Sequence, residues 1–297
     1  MTTTSGSISV LRAPGLRKIY NDAASARKAE YTQLFNMLTS KRAYEEDSKF
    51  IGFGITVAKP EGTNTVMDDP AQGSTKRYTH NSFGMGFRVT REAHDDDLYT
   101  QINKLPKGLA NSNNELIEQS GANLYINGLA GTELGLDGVA VFSNSHPRIG
   151  GGTAYDNLAA DAFSITGLQA MTNYYESALN DRGLHIAMRP KLVVLPHQLR
   201  FTAREIFGTE KKPFTNDNEV NSILDEDLQW TVNHFLTSAT NWFVLPTDKE
   251  LWPNFFWRTS PEYKADDDFL SGDMLNKTFM RFSLGVSESQ GLYASNA

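Results

Sequence analysis

Residues 75–92 read TKRYTHNSFGMGFRVTRE. Tyr78, Phe83, Met85, Phe87 and Val89 fall mostly two apart, the repeat of a strand with one packed face, so the stretch reads as a long strand. Just upstream, FIGFGITVA at 50–58 also alternates, with Gly52 and Gly54 interrupting it, and reads as a second strand. The linker between them, KPEGTNTVMDDPAQGS at 59–74, is dense in turn formers and too polar for a core. Together they predict a long β-hairpin. A hairpin alone is marginal in water, so this one must lie on the body of its own chain or on a neighbour. The linker residues Lys59, Glu61, Val66, Met67, Asp68 and Asp69, with Lys76 and Arg77 on the returning strand, are the candidates for that contact.

Downstream the period changes. Leu98, Ile102, Leu105, Leu109 and Leu116 recur at helical spacing and predict one amphipathic helix over about 92–129. Pro106 and Gly108 should kink or split it. Glycine-rich turns at 128–138 and a loop at 141–157 follow. Then come a helix over 164–180 with a Ser164 or Thr166 cap, a buried strand at 191–195 and a helix over 196–207 opened by Pro196. Residues 208–222 read as a loop, and strands are expected at 229–235, 242–245, 255–263 and 278–286. Before the hairpin, 22–40 reads as an amphipathic helix. The class is α+β, without internal repeats.

The chain has 297 residues and a mass of 33.0 kDa, enough for one large or two ordinary domains. The formal net charge is −7, from 28 basic and 35 acidic groups. It is unevenly placed. Residues 1–42 hold seven basic groups against Asp22 and Glu30, a net +5, which leaves −12 for the remainder. Such a segment is either a solvated terminus or an arm facing an anionic surface, with Arg12, Arg17 and Lys18 foremost in the second case. Overall acidity argues against a dedicated nucleic-acid binder. Absence of cysteine excludes disulfides, thiol nucleophiles and thiolate metal sites. No apolar run reaches the length of about 18 residues that a membrane span needs.

Catalytic signals are thin. The triplets Asp95–Asp97 and Asp266–Asp268 lack the spaced oxygen ligands of a calcium loop. The six histidines show no zinc spacing, and no metal or cofactor is expected. Gly150–Gly152 neither follows a buried strand nor opens a lysine-bearing helix, so a phosphate cradle is not indicated. No G-x-S-x-G elbow occurs. Asn276-Lys277-Thr278 matches a glycosylation sequon, but no secretory signal opens the chain. No enzyme is expected.

A resemblance supplies what these motifs do not. KRYTHNSFGMGFRVTREAHDDDLY at 76–99 resembles the extended-loop strand and spine-helix start of tailed-phage major capsid proteins. VFSNSHPRIGGGTAYDN at 141–157 resembles their "LF-x-x-x-H-P" segment with its glycine cluster, and DRGLHIAMRPKLVVLP at 181–196 the strand leading into the next helix. TNDNEVNSI, VNHFLTSATNWFVL and RFSLGVSESQGLYAS follow in the family's order, so the resemblance covers roughly 15–295. It implies the Hong Kong 97-like fold, in the branch similar to Mu-type head subunits. The implied parts are an N-terminal arm at 1–48 and an extended loop (E-loop) at 49–90. A peripheral domain with a spine helix follows at 91–154 and 251–297, and an axial domain at 155–250. The implied function is structural: copies form hexamers and pentamers of an icosahedral shell around double-stranded DNA, held by non-specific contact. The implied location is the virion capsid, assembled in the host cytoplasm, with no membrane contact. A portal and a decoration protein are further partners implied, and so is a separate scaffolding protein, since no long extension precedes the arm. The alternatives are an encapsulin-like nanocompartment shell and, more remotely, a soluble enzyme or binding protein.

Overall fold

The computed structural model describes residues 6–96, 101–211 and 220–297, with side chains from residue 15 onward except those of His94 and Asp95. Residues 212–219 of the predicted loop at 208–222 fall outside these residues, as do Leu98 and Asp97.

The first helix lies earlier than its sequence suggested. Helix α1 (Gly6–Ala26) ends near where a helix over 22–40 was expected to begin. It buries Leu16 and Tyr20, with Ile19, Ala23 and Ala24 beside them, against Leu109, Ala110 and Tyr263. Tyr20 stacks on Tyr263, ring centroids 5.0 Å apart, and its hydroxyl accepts from Asn113 Nδ2 at 2.8 Å. Beyond it, Tyr31–Gln33 make one 3-10 turn and β1 (Asn36–Thr39) is a strand. Two long-range contacts override the local helical pattern there. Leu34 and Phe35 enter the central core, and β1 pairs in parallel with β9 (Asn254–Asp267).

The long strand expected over 75–92 is two strands in two sheets. β2 (Tyr44–Ile51) and β3 (Ala71–Thr79) form a separate antiparallel ribbon, Tyr44 opposite Thr79 and Ile51 opposite Ala71. At His80 the chain crosses over, and β4 (Asn81–Val89) pairs antiparallel with β10 (Met274–Gly285). The hairpin therefore begins at Tyr44. Of the stretch 50–58, expected as its first strand, Phe50 and Ile51 end β2, and 52–58 has no ladder partner among the described residues.

The expected helix over 92–129 is also divided. A short α2 (Arg91–Asp95), capped by Thr90, is followed after an interval by α3 (Lys104–Ala130). Pro106 does not kink α3. It occupies the third helical position, where the backbone N–H has no partner inside the helix in any case. Gly131 ends α3 at φ +79°, a conformation costly for any side chain with a Cβ, and its N–H closes onto Asn127 O.

Sheet order in the first body is β1-β9-β10-β4. The second is a five-stranded sheet of β5 (Leu158–Ala159), β11 (Tyr293–Ser295), β8 (Trp242–Pro246), β6 (Pro190–Pro196) and β7 (Gln229–Asn233), in that order. The run Leu192–Leu195 is apolar throughout because both faces of β6 are covered. Leu192 and Val194 face the central core with Phe243, Leu245 and the α3 residues Ile117, Leu124 and Tyr125. Val193 and Leu195 face a second core of Trp242, Val244, α4 (Ile165–Glu176) and α5 (Arg200–Gly208). Ser164 caps α4 as read, its Oγ accepting from Gly167 N at 3.2 Å. The tail divides between the two sheets: β10 completes the first, and β11 crosses to lie between β5 and β8 of the second. Asn276 of the sequon is buried on β10, accepting from the Tyr263 hydroxyl at 2.5 Å, and is closed to modification in the fold.

Candidate assembly surface

The hairpin leaves the body at a buried pivot. His80 lies between Ser40 and Ser283, and burial holds its pKa below the usual value, with the Arg281 and Arg258 charges adding to the effect. Ser40 gives its hydroxyl proton to Glu45 at 2.6 Å, so the neutral ring donates from Nε2 to Ser40 and accepts at Nδ1 from Ser283. Tyr78, one ladder step away, packs on Phe256 and bonds Ser287. Burial pushes its phenol up to about 12.

Two ionic anchors fix the ribbon's base to the body, and a third pair braces it internally. Lys49 Nζ sits 2.8 Å from Asp181 and 3.0 Å from Glu288. Burial alone would lower the lysine's pKa, but the two carboxylates outweigh it and raise the value. Lys76 is likewise spent inside the chain, 2.9 Å from Glu133 and 2.5 Å from Leu134 O. Arg77 crosses to Glu46 and lies over the Tyr44 ring, 4.1 Å from its centroid.

Beyond the base, residues 52–70 project. Arg182 holds both ends, donating to Gly52 O at 3.3 Å and Asp69 O at 2.9 Å, with Asp68 3.6 Å away. Asp68 in turn accepts the Gly54 N–H at 2.8 Å. Lys59 and Glu61 are exposed. So are the apolar side chains of Phe50, Phe53, Ile55, Val57, Val66 and Met67, Met67 at 88% and Ile55 at 78%. Single exposed apolar residues are ordinary, but this concentration on one projection marks a contact surface. Replacing Arg182 with Ala removes the tie without touching a core. The two lost charged hydrogen bonds are together worth roughly 3 kcal/mol, so cleavage at Glu61 by a Glu-specific protease should speed up by about a hundredfold. Unchanged cleavage would mean that the loop is ordered by something else.

The basic positions of the first segment divide. Arg17 and Lys18 are exposed on α1, while the side chain of Arg12 falls outside the described residues. Arg17 also lines an open cavity of about 1010 Å³ with Arg88, Tyr263 and Lys277. The structure therefore does not gather the sequence-predicted contact residues into one patch. The loop residues cluster at the projection, and Arg17 and Lys18 lie on a separate helix.

Several positioning residues carried no legible signal. Arg182, Asp181 and Glu288 are examples, and so is the network around His146. That ring stacks on Tyr155 and faces Asp137 Oδ2 at 2.6 Å and Asn157 Oδ1 at 3.1 Å. The amide of Asn157 is oriented by donating to Val141 O and Ser289 O, so both ring nitrogens of His146 meet acceptors. Burial would raise the Asp137 pKa, but the bond and charge of His146 prevail and lower it. The glycine triplet serves packing: a Cβ on Gly150 would fall 2.4 Å from Asp181 O. In the second acidic triplet Asp268 accepts from Leu270 N and Ser271 Oγ, closing the β9–β10 turn. Among the described residues no group of three or more acidic or histidine side chains is arranged to hold a metal ion. Nor is any described helix long and apolar enough to cross a membrane.

A projecting ribbon, a long helix under a four-stranded sheet and a separate five-stranded sheet are the parts to compare. The family model described as "Phage capsid protein" matches residues 73–295. The chain belongs to the phage capsid protein family. No curated protein matches it. Among solved structures, this capsid protein is similar to the capsid of Cyanophage P-SCSP1u, at 9% identity and TM-score 0.59, covering 91% of this chain and 88% of that one. Similarity to the procapsid of bacteriophage JBD30 reaches 17% identity and TM-score 0.51, over 99% of this chain and 76% of that one. A virus-like particle from Pyrococcus furiosus matches at 6% identity and TM-score 0.57, over 96% and 99%. At such identities the likeness is one of fold, and the fold is the phage-capsid one that the sequence motifs resembled. As a phage capsid protein it has a structural role, and its place is the virion capsid.

Proposed function

We propose that copies of this capsid protein close the icosahedral head of a tailed phage around double-stranded DNA. They would do so as hexamers and pentamers, on a separate scaffold, with a portal and a decoration protein as further partners. The sequence motifs favour the branch similar to Mu-type head subunits. In this reading α1 and the following segment are the arm and the β2–β3 ribbon with its loop is the extended loop. The four-stranded sheet with α3 is the peripheral domain, and the five-stranded sheet with α4 and α5 is the axial domain. The contact residues are Lys59, Glu61, Val66, Met67, Asp68 and Asp69 of the loop, Arg77 at its root, and the basic arm.

The carrying observation is the exposed surface. A compact protein of this mass exposes roughly 12,000 Å², whereas this chain exposes 17,361 Å². The excess includes the apolar projection, which no described residue of its own chain covers. Stability missing from one subunit is then supplied by its neighbours, and repeated equivalent contacts close a shell. Negative-stain electron microscopy and sedimentation of the protein made with its scaffold test this. Shells, tubes or sheets are expected, and nucleic acid rather than a cargo protein inside filled particles. A monodisperse monomer at high concentration with scaffold present would overturn the reading.

A further inference from the structure

The free edge of β4 and the unpaired segment Gly52–Ala58 match each other. Strand β4 ends its sheet, and its outward edge has no strand beside it among the described residues. Its sequence, NSFGMGFRV, has neither the proline nor the lysine that commonly blunts a free edge. Nine residues at about 3.4 Å each make an edge of roughly 30 Å. Its one charged side chain, Arg88, is already paired with Asp273, and an open edge of that length invites a strand.

The segment 52–58 has the pattern of such a strand. Phe53, Ile55 and Val57 alternate with Gly54, Thr56 and Ala58, and all three are exposed. Alternation at two is useful only to a residue run that packs one face on a sheet. In strand conformation, successive N–H groups point to opposite edges. Gly54 N–H is already taken by Asp68 of the returning loop. The edge carrying the N–H groups of Phe53, Ile55 and Val57 is therefore the open one.

We propose that residues 52–58 add as a strand to the free β4 edge of a second copy of this chain, a β-augmentation between subunits. This rests on the shell reading and names the mode of its principal contact. Exposed Met85 on β4, on the face it shares with Phe83 and Phe87, lies beside the new strand and receives its apolar side chains.

The test uses proline and the absence of cysteine. Ile55→Pro and Val57→Pro remove the N–H groups that face the partner edge, whereas Thr56→Pro removes one that faces the loop. Particle yield, counted by electron microscopy of full-length protein with scaffold, should fall about tenfold or more for the first two and stay near wild type for the third. Ile55→Ala separates loss of the side chain from loss of the ladder, and should be milder than Ile55→Pro. In assembled particles of Val57→Cys combined with Phe83→Cys, Met85→Cys or Phe87→Cys, oxidation should give covalent oligomers for one register, and none from single variants. Equal tolerance of proline at 55, 56 and 57, or no cross-link in any pair within normal particles, would overturn strand addition. Absence of particles from the unmodified chain would instead overturn the shell reading.

Discussion

Replacing residues 52–70 with an Asn-Gly turn should give a soluble, folded subunit that forms no closed shell. The β2–β3 ladder runs to Ile51 opposite Ala71, where a two-residue turn of that kind closes an antiparallel pair with the right twist. None of the deleted side chains is buried, and their polar ties end on Arg182, a partly exposed residue. Circular dichroism and thermal unfolding should therefore stay close to wild type. Assembly should not. Phe53, Ile55, Val57, Val66 and Met67 leave together, and each is worth roughly 1.5–3 kcal/mol when buried against a neighbour. That sum, lost at every contact of a shell, exceeds what a moderate rise in protein concentration restores. Stable particles of wild-type size from the shortened chain would show that the loop is not an assembly element. An unfolded product would show that it packs on its own chain.

The same loop shows why its sequence was only half legible. Alternation in 50–58 announced a strand, and the alternation is real, but only Phe50 and Ile51 pair, at the end of β2, and 52–58 has no ladder partner among the described residues. The strand that does form, YEEDSKFI at 44–51, was legible only in Phe50 and Ile51, because the run Glu45, Glu46, Asp47, Ser48 and Lys49 shows no apolar alternation. The break at His80 was equally hidden. A buried histidine between two serines, one of them more than two hundred residues away in sequence, has no local signature. By contrast, β6, β8, β9 and β10 lay close to their expected positions, since strands buried on one or both faces carry their pattern whatever their partners. Helix α3 was placed correctly at its end, and its beginning was misjudged because Pro106 was read as a break and not as a first-turn residue. The parallel pairing of β1 and the crossing of β11 depend on contacts between the chain's two ends, which periodicity cannot register.

The contact residues divide on the same line. Exposed, polar, turn-rich segments can be found from composition, so the projecting loop was found. The residues that aim it are single charges on distant elements: Arg182, Asp181, Glu288 and Glu133. Lys76 was expected to face a neighbour, and its ammonium is in fact bound to Glu133 and Leu134 of its own chain. Its long stem reaches inward where the strand pattern alone would leave it pointing to solvent.

Lys49 carries the largest expected single-residue effect. Its ammonium joins β2 to Asp181, in the turn that also positions Arg182, and to Glu288, in the segment leading to β11. Side-chain exposure is 17% for Lys49 and 7% for Asp181, so solvent screens the group only weakly. Lys49→Met keeps the apolar stem and removes the charge, leaving two carboxylates in one pocket without a cation. Breaking a buried ion pair from one side costs about 3–5 kcal/mol, and the melting temperature should fall by roughly 10 °C. The pH dependence has a definite sign. Because the folded lysine's pKa is raised, its contribution is complete below the ordinary lysine value and is lost only as pH rises through the folded value. Wild type should therefore lose this stabilisation in the alkaline range, and Lys49→Met should lack it throughout neutral pH. Protonating one of the stranded carboxylates relieves the variant, so the gap between the two melting temperatures should narrow on acidification. Lys49→Arg, which keeps the charge, should fall between them. A melting temperature for Lys49→Met equal to wild type at pH 7 would mean that the three charges are solvated separately and that the ribbon's base is held by its ladder alone.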